Sequence, residues 1–353
     1  MARCETCGQS AVTISPTLGF CADCIRQHPE EALPRISALH RTIRQDFGLP
    51  AEPPSAEDGH RCTQCANACR MLEGETGYCG LRVVRNGRLH HLAGTPSRGL
   101  LHWYYDPLPT NCVADWVCPG HARPGLKNLA VFYGACSFNC LFCQNWHFRS
   151  TSTSTDVLSA QRLAETADER TFCVCFFGGD PSPQMPHALA TSHLLAQKGV
   201  RICWETNGSM NPRLLDRAVK LSLNSGGCIK VDLKAWDEHL HYALTGVTNR
   251  RTLQNFARVS RLIGHRQGSP LLVASTLLVP GYVDAEEVRG IAAFIASLNP
   301  DIPYALLGFH PSFRLADLPR TSIRHAEEAV QAALGAGLTN VRIANRHLLS
   351  HCY

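Results

Sequence analysis

The sequence has no long apolar run and no block of one charge sign. Apolar stretches such as residues 271–279 are much shorter than the roughly 20 residues that a membrane-spanning helix needs. Residues 1–8 lack the charged and then apolar start of a secretory signal. The formal net charge is only +5, and the arginines are scattered along the chain. We therefore expect a cytoplasmic protein without a membrane partner, and find no strong signal for a nucleic-acid partner.

Cysteine, in contrast, is abundant: the 353 residues include 18 cysteines. A cytoplasmic chain of this length, 44% hydrophobic, can bury a large core and needs no disulfide scaffold. Metal binding is therefore the better explanation, and the grouping of the cysteines supports it.

Two groups of four cysteines precede residue 126. The first has two C-x2-C pairs, a spacing typical of a structural zinc knuckle, with an auxiliary iron–sulfur cluster as the alternative. The second is less regular and is equally compatible with zinc or an iron–sulfur cluster. The groups are Cys4, Cys7, Cys21 and Cys24, and then Cys62, Cys65, Cys69 and Cys79. Metal binding would supply the folding energy of such small units.

Three domains are predicted. Residues 1–50 form a cysteine-rich knuckle followed by an amphipathic helix at 30–47, and the proline-rich segment 50–59 marks a linker. Residues 51–125 form a second cysteine-rich extension, which ends in a proline- and glycine-rich covering loop at 109–121. The cysteines of this loop, Cys112 and Cys118, are interpreted as ligands of a cluster, as contacts of a substrate or as thiols without a function. Residues 126–353 form the main domain.

Short apolar runs alternate with helical patterns throughout the main domain. This alternation predicts an α/β fold with a parallel sheet that is closed or partly closed into a barrel, a partial (β/α)6-type barrel related to the TIM fold. The apolar runs are 129–133, 172–177, 200–204, 228–233, 271–279, 304–309 and 341–344. The helical patterns are 186–198, 212–222, 252–266, 285–298 and 324–334.

A tight group of cysteines, Cys136, Cys140 and Cys143, follows the first strand of the predicted barrel. A cubane with four irons normally takes four thiolates, but this group supplies three. The fourth iron would be open to a substrate. The alternative is a zinc site that a distant fourth ligand completes.

Polar and glycine residues end the following strands, where a barrel builds one shared site. Because side chains alternate along a strand, Asp232 and Lys234 point to the same side and are expected to pair with each other or with a ligand. The candidate residues are Gly178, Gly179, Asp180, Glu205, Thr206, Asp232, Lys234 and His310.

The triad and several nearby motifs resemble those of a known family. The C-x3-C-x2-C triad resembles the signature of the radical S-adenosylmethionine superfamily. The motifs C-Q-N-W, D-L-K-A-W-D-E, L-T-G-V and V-P-G-Y-V-D resemble the branch of pyruvate formate-lyase activating enzymes. The resemblance covers about residues 62–344. It is strongest to members with an amino-terminal extension, which Cys62, Cys65, Cys69, Cys79, Gly80 and Arg82 match here.

The resemblance implies a [4Fe-4S] cluster on the triad and S-adenosylmethionine on its open iron. Reductive cleavage would give a 5′-deoxyadenosyl radical that abstracts a substrate hydrogen, with an electron donor such as flavodoxin or ferredoxin. Phe142 would lie beside the adenine, the Gly178–Gly179–Asp180 segment near the amino group and His310 near S-adenosylmethionine. A monovalent cation is implied at Glu205, Thr206 and Asp232, with glutamate in place of the more usual aspartate.

Three functions remain open. The preferred one is a radical enzyme that acts on a small molecule or a peptide. The second is an activase that installs a glycyl radical on a partner protein, although the added amino-terminal domains are expected to cover the barrel mouth. The third is a zinc-dependent binding module without catalysis, which would need a basic face that the sequence does not show.

Overall fold

The amino-terminal part of the chain consists of small hairpins and two helices. The computed structural model describes residues 1–110 and 112–353. The elements are β1 (Ala2–Arg3), β2 (Ser10–Ala11), α1 (Ala22–Gln27), α2 (Pro29–Asp46), β3 (His60–Arg61), β4 (Arg70–Met71), β5 (Arg82–Arg85) and β6 (Arg88–His91). Helix α2 matches the predicted amphipathic segment and begins with Pro29, whose missing N–H costs nothing at that position.

A nine-stranded sheet forms the centre of the protein. Its strands are β7 (Gly99–Pro107), β8 (Lys127–Tyr133), β9 (Val157–Leu158), β10 (Thr171–Gly178), β11 (Arg201–Thr206), β12 (Ile229–Asp232), β13 (Leu272–Leu278), β14 (Tyr304–Gly308) and β15 (Val341–Ile343). Their order is β15-β14-β13-β12-β11-β10-β8-β7-β9. Strands β8 and β10 to β15 are parallel, which confirms the predicted α/β fold, and each predicted apolar run forms one of them.

Strands β7 and β9 are absent from the sequence prediction. Strand β7 runs antiparallel to β8 and so brings part of the segment 51–125 into the central sheet. Its first three residues are buried, whereas the aromatic stretch that follows is exposed. The hydrophobic pattern of a half-buried strand is therefore missing.

Helices follow most of the parallel strands. They are α3 (Ala160–Glu165), α4 (Met185–Gln197), α5 (Pro212–Ser225), α6 (Glu238–Thr245), α7 (Arg250–Ser260), α8 (Ala285–Leu298) and α9 (Ile323–Gly335). The predicted helix at 252–266 ends earlier, since a short turn at Ile263–His265 contains Gly264, a poor helix former. No described helix combines the length and the apolar character that crossing a bilayer requires.

The amino-terminal segment packs against loops at the carboxyl end of the sheet. The Ser15 hydroxyl donates to Asp317 at 2.7 Å, and the Asn67 amide donates to the carbonyl of Ser137 at 2.8 Å. The Arg26 guanidinium donates to Glu287 at 3.2 Å. The extension therefore lies beside the mouth of the partial barrel.

Candidate active site

The three clustered cysteines lie in the loop that follows β8. This loop has little regular structure, and α6 holds its backbone: Asn139 N–H donates to the Thr245 carbonyl at 2.8 Å and Leu141 N–H to the Leu244 carbonyl at 2.9 Å. The L-T-G-V motif thus has a structural purpose, because Gly246 ends α6 in a left-handed conformation. The triad lines a cavity of about 190 Å³: Cys136, Cys140 and Cys143.

The sulfurs of the triad do not converge as the ligands of a single zinc ion would. Zinc bound at about 2.3 Å by four thiolates needs sulfurs roughly 3.8 Å apart, whereas the thiolates of a cubane bind different irons and lie farther apart. Among the described residues, the triad is not a set whose ligand atoms all lie within 4.8 Å of one another. Burial raises the pKa of Cys140 to about 12, so metal binding there releases a proton.

The glycine pair at the end of β10 lies directly against the cysteine loop. Gly179 N–H donates to the Tyr133 carbonyl at 2.8 Å, and a Cβ on Gly179 would lie 2.3 Å from the Ala135 carbonyl oxygen. Gly178 has a φ of 105°, which side chains disfavour. Both glycines line the cavity. Because they have no side chain, the end of β10 can approach the backbone of the cysteine loop closely.

Replacing Gly179 by alanine should therefore destabilise the protein by about 2 kcal/mol or more, because backbone rather than a mobile side chain fills the space. Denaturant unfolding measures the change. Gly335→Ala is the matched control: nothing lies within 4 Å of its added Cβ, so no loss is expected. Equal stability of the two variants would contradict the close-approach explanation.

Asp180 is buried, and hydrogen bonds engage both its carboxylate oxygens. They accept from Ser182 N–H at 2.7 Å, from the Thr206 hydroxyl at 2.9 Å and from Asn207 N–H at 2.7 Å. Burial raises the pKa of this carboxyl, although these donors oppose the rise. Asp180 therefore joins the ends of β10 and β11 beneath the cavity.

Asp232 and Lys234 form the pair that strand alternation predicts. Their charged atoms lie 2.9 Å apart, and the Ser275 hydroxyl donates to the other Asp232 oxygen at 2.7 Å. Burial acts to lower the pKa of Lys234, but Asp232 together with the neighbouring Cys140 and Cys136 raises this pKa above its ordinary value. A fixed ion pair thus lines the cavity that the triad lines.

The residues of the predicted cation site line this cavity but have protein partners. Glu205 pairs with the fully buried Lys230 at 3.2 Å, and Thr206 donates to Asp180. Phe142 is buried and lines the cavity, whereas His310, within the described chain, is not a lining residue. His310 instead contacts the Pro311 carbonyl at 3.0 Å and Arg320 at 3.3 Å.

Several lining residues are absent from the predicted site residues, among them Asn207, Arg149 and Asn145. The Asn207 amide donates to Ser137 at 2.9 Å and approaches the Cys136 sulfur at 3.8 Å. Arg149 and Asn145 come from the turn after the triad. Asn145 belongs to the C-Q-N-W motif and Arg149 follows it closely, which is the signal that would have found them.

A second cavity, of about 310 Å³, adjoins the first. The two share Gln144, Asn145, Phe177 and Glu205 as lining residues. Tyr104 of β7 lines one side. Another side is the strap, which we define as residues 108–110 and 112–121. It corresponds to the predicted covering loop at 109–121, of which residue 111 lies outside the described residues. The second cavity therefore lies next to the one that the triad lines.

The four cysteines of the predicted knuckle converge. Their sulfurs all lie within 4.8 Å of one another, and the Cys7 and Cys21 sulfurs are 3.9 Å apart, close to the spacing around one tetrahedral zinc. The second group does not converge in this way among the described residues: Cys62, Cys65, Cys69 and Cys79.

Comparison with known proteins agrees with this geometry. Residues 130–295 match the family model of the radical SAM superfamily. A protein of Methanocaldococcus jannaschii named as a glycyl-radical enzyme activating enzyme is 29% identical over 55% of this chain and 72% of its own length. An uncharacterized protein of the same organism is 24% identical over 81% of each chain. The pyruvate formate-lyase 1-activating enzyme of Escherichia coli K12 is 27% identical over 37% of this chain and 54% of that enzyme.

Proposed function

The chain carries a radical SAM domain and is homologous to glycyl-radical activating enzymes, and on this premise we propose that it abstracts hydrogen from a small molecule or peptide bound in the second cavity. The observation that carries the proposal is that the two cavities adjoin and share Gln144, Asn145, Phe177 and Glu205 as lining residues. A radical formed at the triad would therefore lie close to a substrate bound in the second cavity.

The first cavity fits the cofactors that the family requires. Cys136, Cys140 and Cys143 would hold the [4Fe-4S] cluster, and the lining beside them combines apolar and charged side chains. When bound, the cluster and S-adenosylmethionine supply a 5′-deoxyadenosyl radical. The additional monovalent cation at Glu205, Thr206 and Asp232 stays a prediction, as does the electron donor.

The chain's own residues give this cavity its polarity. Lys234 and Arg149 present cations that suit a carboxylate, while Asp232 holds Lys234 in place at 2.9 Å. Phe142 is buried and offers an apolar face for a nucleobase. Asn139 accepts from the Arg149 guanidinium at 3.2 Å, which ties this cation to the cysteine loop.

The first experiment is anaerobic reduction of the iron-loaded protein in the presence of S-adenosylmethionine, with 5′-deoxyadenosine as the product measured. Formation of this product at a rate that depends on protein and reductant is the expected result. A protein with an intact cluster that forms no 5′-deoxyadenosine would end the proposal of catalysis.

The substrate class can be tested with an anaerobic extract of the source cells, separated into low-mass and macromolecular fractions. We expect the low-mass fraction to stimulate 5′-deoxyadenosine formation. Ala130, a buried residue that lines the second cavity, should lose this stimulation when changed to phenylalanine, because the new ring fills the cavity. Ala38→Phe, on the exposed side of α2, is the control and should keep it.

The activase remains the second candidate, since the named relatives are activating enzymes. It predicts that the macromolecular fraction stimulates the reaction and that a glycyl radical appears by electron paramagnetic resonance. Stimulation by that fraction alone, equal in the wild type and in Ala130→Phe, would favour the activase over the small-molecule enzyme.

A further inference from the structure

The second cavity is lined by an unusual number of thiols. Eleven of the 18 cysteines belong to the triad and the two amino-terminal groups. Six of the remaining seven line this cavity, whereas the seventh, Cys352, is exposed. The six are Cys112, Cys118, Cys173, Cys175, Cys203 and Cys228.

The sheet places four of these thiols on its inner side. Cys173 and Cys175 alternate on β10, and Cys175 is the registered neighbour of Cys203 on β11. Cys228 directly precedes β12, and its carbonyl accepts from Trp204 N–H at 2.9 Å. Barrel interiors are usually filled by branched apolar side chains. Cysteines on β10, on β11 and directly before β12 differ from that composition, and packing alone does not require them.

The strap supplies two further thiols from the opposite side. It leaves β7 where that strand pairs with the beginning of β8, and it therefore covers the amino-terminal end of the sheet. Cys118 accepts from Gly120 N–H at 3.4 Å, which fixes its sulfur. Cys118, Cys173, Cys203 and Cys228 also line a small void of about 10 Å³ next to the larger cavity.

Positive charge lies beside the thiols. The fully buried Lys230 ammonium is 2.9 Å from the Cys175 sulfur and 3.1 Å from the Cys112 sulfur. Arg266 donates to the carbonyl of Gly227, next to Cys228, at 2.7 Å. Thiolates that bind metal are anionic, so Lys230, which also pairs with Glu205 at 3.2 Å, and the half-buried Arg266 would stabilise a metal–thiolate centre.

We propose that the amino-terminal end of the sheet binds a second iron–sulfur cluster through four cysteines, which we call the floor cysteines: Cys118, Cys173, Cys203 and Cys228. The site goes beyond the proposed function, because neither the triad nor cleavage of S-adenosylmethionine requires it. Cys112 and Cys175, whose sulfurs contact Lys230, line the larger cavity but not the small void and are not assigned as ligands.

The sulfurs of these four cysteines do not all converge on one point, as the ligands of a single ion would. Within the described chain, the floor cysteines do not bring three ligand atoms within 4.8 Å of one another, whereas the knuckle does. Four thiolates on a cluster bind at least two irons and are spread accordingly.

Iron and acid-labile sulfide counts on the full chain, after anaerobic reconstitution, test the site. The variant Cys173→Ser/Cys203→Ser/Cys228→Ser should lose about four iron and four sulfide per chain relative to wild type, or about two of each for a [2Fe-2S] cluster. The triad variant Cys136→Ala/Cys140→Ala/Cys143→Ala should keep that second cluster and its absorption, and Cys352→Ser should lose nothing.

A second variant guards against misfolding. Cys112→Ser/Cys118→Ser changes only the strap and no strand residue, so we expect a normal melting profile with the same loss of iron. Unchanged iron and sulfide in this strap variant, or a loss of zinc instead, overturns the proposal. The outcome is separable from the function above, because 5′-deoxyadenosine formation is measured independently of the iron count.

Discussion

Replacing Cys140 by alanine is expected to reduce 5′-deoxyadenosine formation at least about 100-fold, since loss even of a partner behind a ligand costs a metal site 10–100-fold. Cys140 is the most buried of the triad and has no neighbour in the loop that replaces its thiol. Product formed per hour by the iron-loaded variant, with S-adenosylmethionine and reductant in excess, gives the measurement.

The fold of the Cys140→Ala variant should survive. The loop is held through backbone hydrogen bonds from Asn139 and Leu141 to α6, and these bonds do not involve the Cys140 side chain. Cys352→Ala, which removes an exposed thiol, is the matched control and should react at the wild-type rate. A Cys140 variant with wild-type activity would remove the triad from the chemistry.

The sequence predicted the parallel sheet well because each strand is an apolar run of suitable length between turns. The same rule failed for β7, whose exposed aromatic half breaks the pattern. It also missed α6, a helix of eight residues capped by Asp237 and Gly246. Short elements of this kind are fixed by tertiary contacts, here with the cysteine loop, which periodicity does not reveal.

The sequence predicted which residues belong to the candidate site better than it predicted which of them contact each other. Asp232 and Lys234 pair as strand alternation requires. The partner of Glu205 was not foreseen, since Lys230 lies inside an apolar run and becomes visible only when β11 and β12 are placed side by side. His310 ends the predicted strand yet does not line the cavity in the described structure.

The floor cysteines escaped sequence analysis for a physical reason. Free cysteine packs as a small hydrophobe. Cys173 and Cys203, like the neighbouring Cys175, were therefore counted as apolar strand residues and not as candidate metal ligands. Their alternation within β10 and recurrence on the next strand were the available signal. Only the register of the sheet shows that they meet.

The amino-terminal knuckle yields the second large prediction. Its hairpin strands have two residues each and cannot fold alone, so we propose that zinc supplies the energy. The converging sulfurs of Cys4, Cys7, Cys21 and Cys24 support this. Removal of zinc should also loosen α1, because α1 contains the ligand Cys24 as well as Arg26, which bonds to Asp284 and Glu287.

Changing Cys7 to alanine isolates the contribution of the metal, because Cys7 is exposed and its truncation leaves no cavity. We expect loss of about one zinc per chain and about 3 kcal/mol or more of stability, the size typical when a structural metal is lost. Zinc content by mass spectrometry and tryptic cleavage at Arg26 and Arg35 give the two readouts. A zinc-free variant as resistant to trypsin as Cys352→Ala would refute a folding role for the metal.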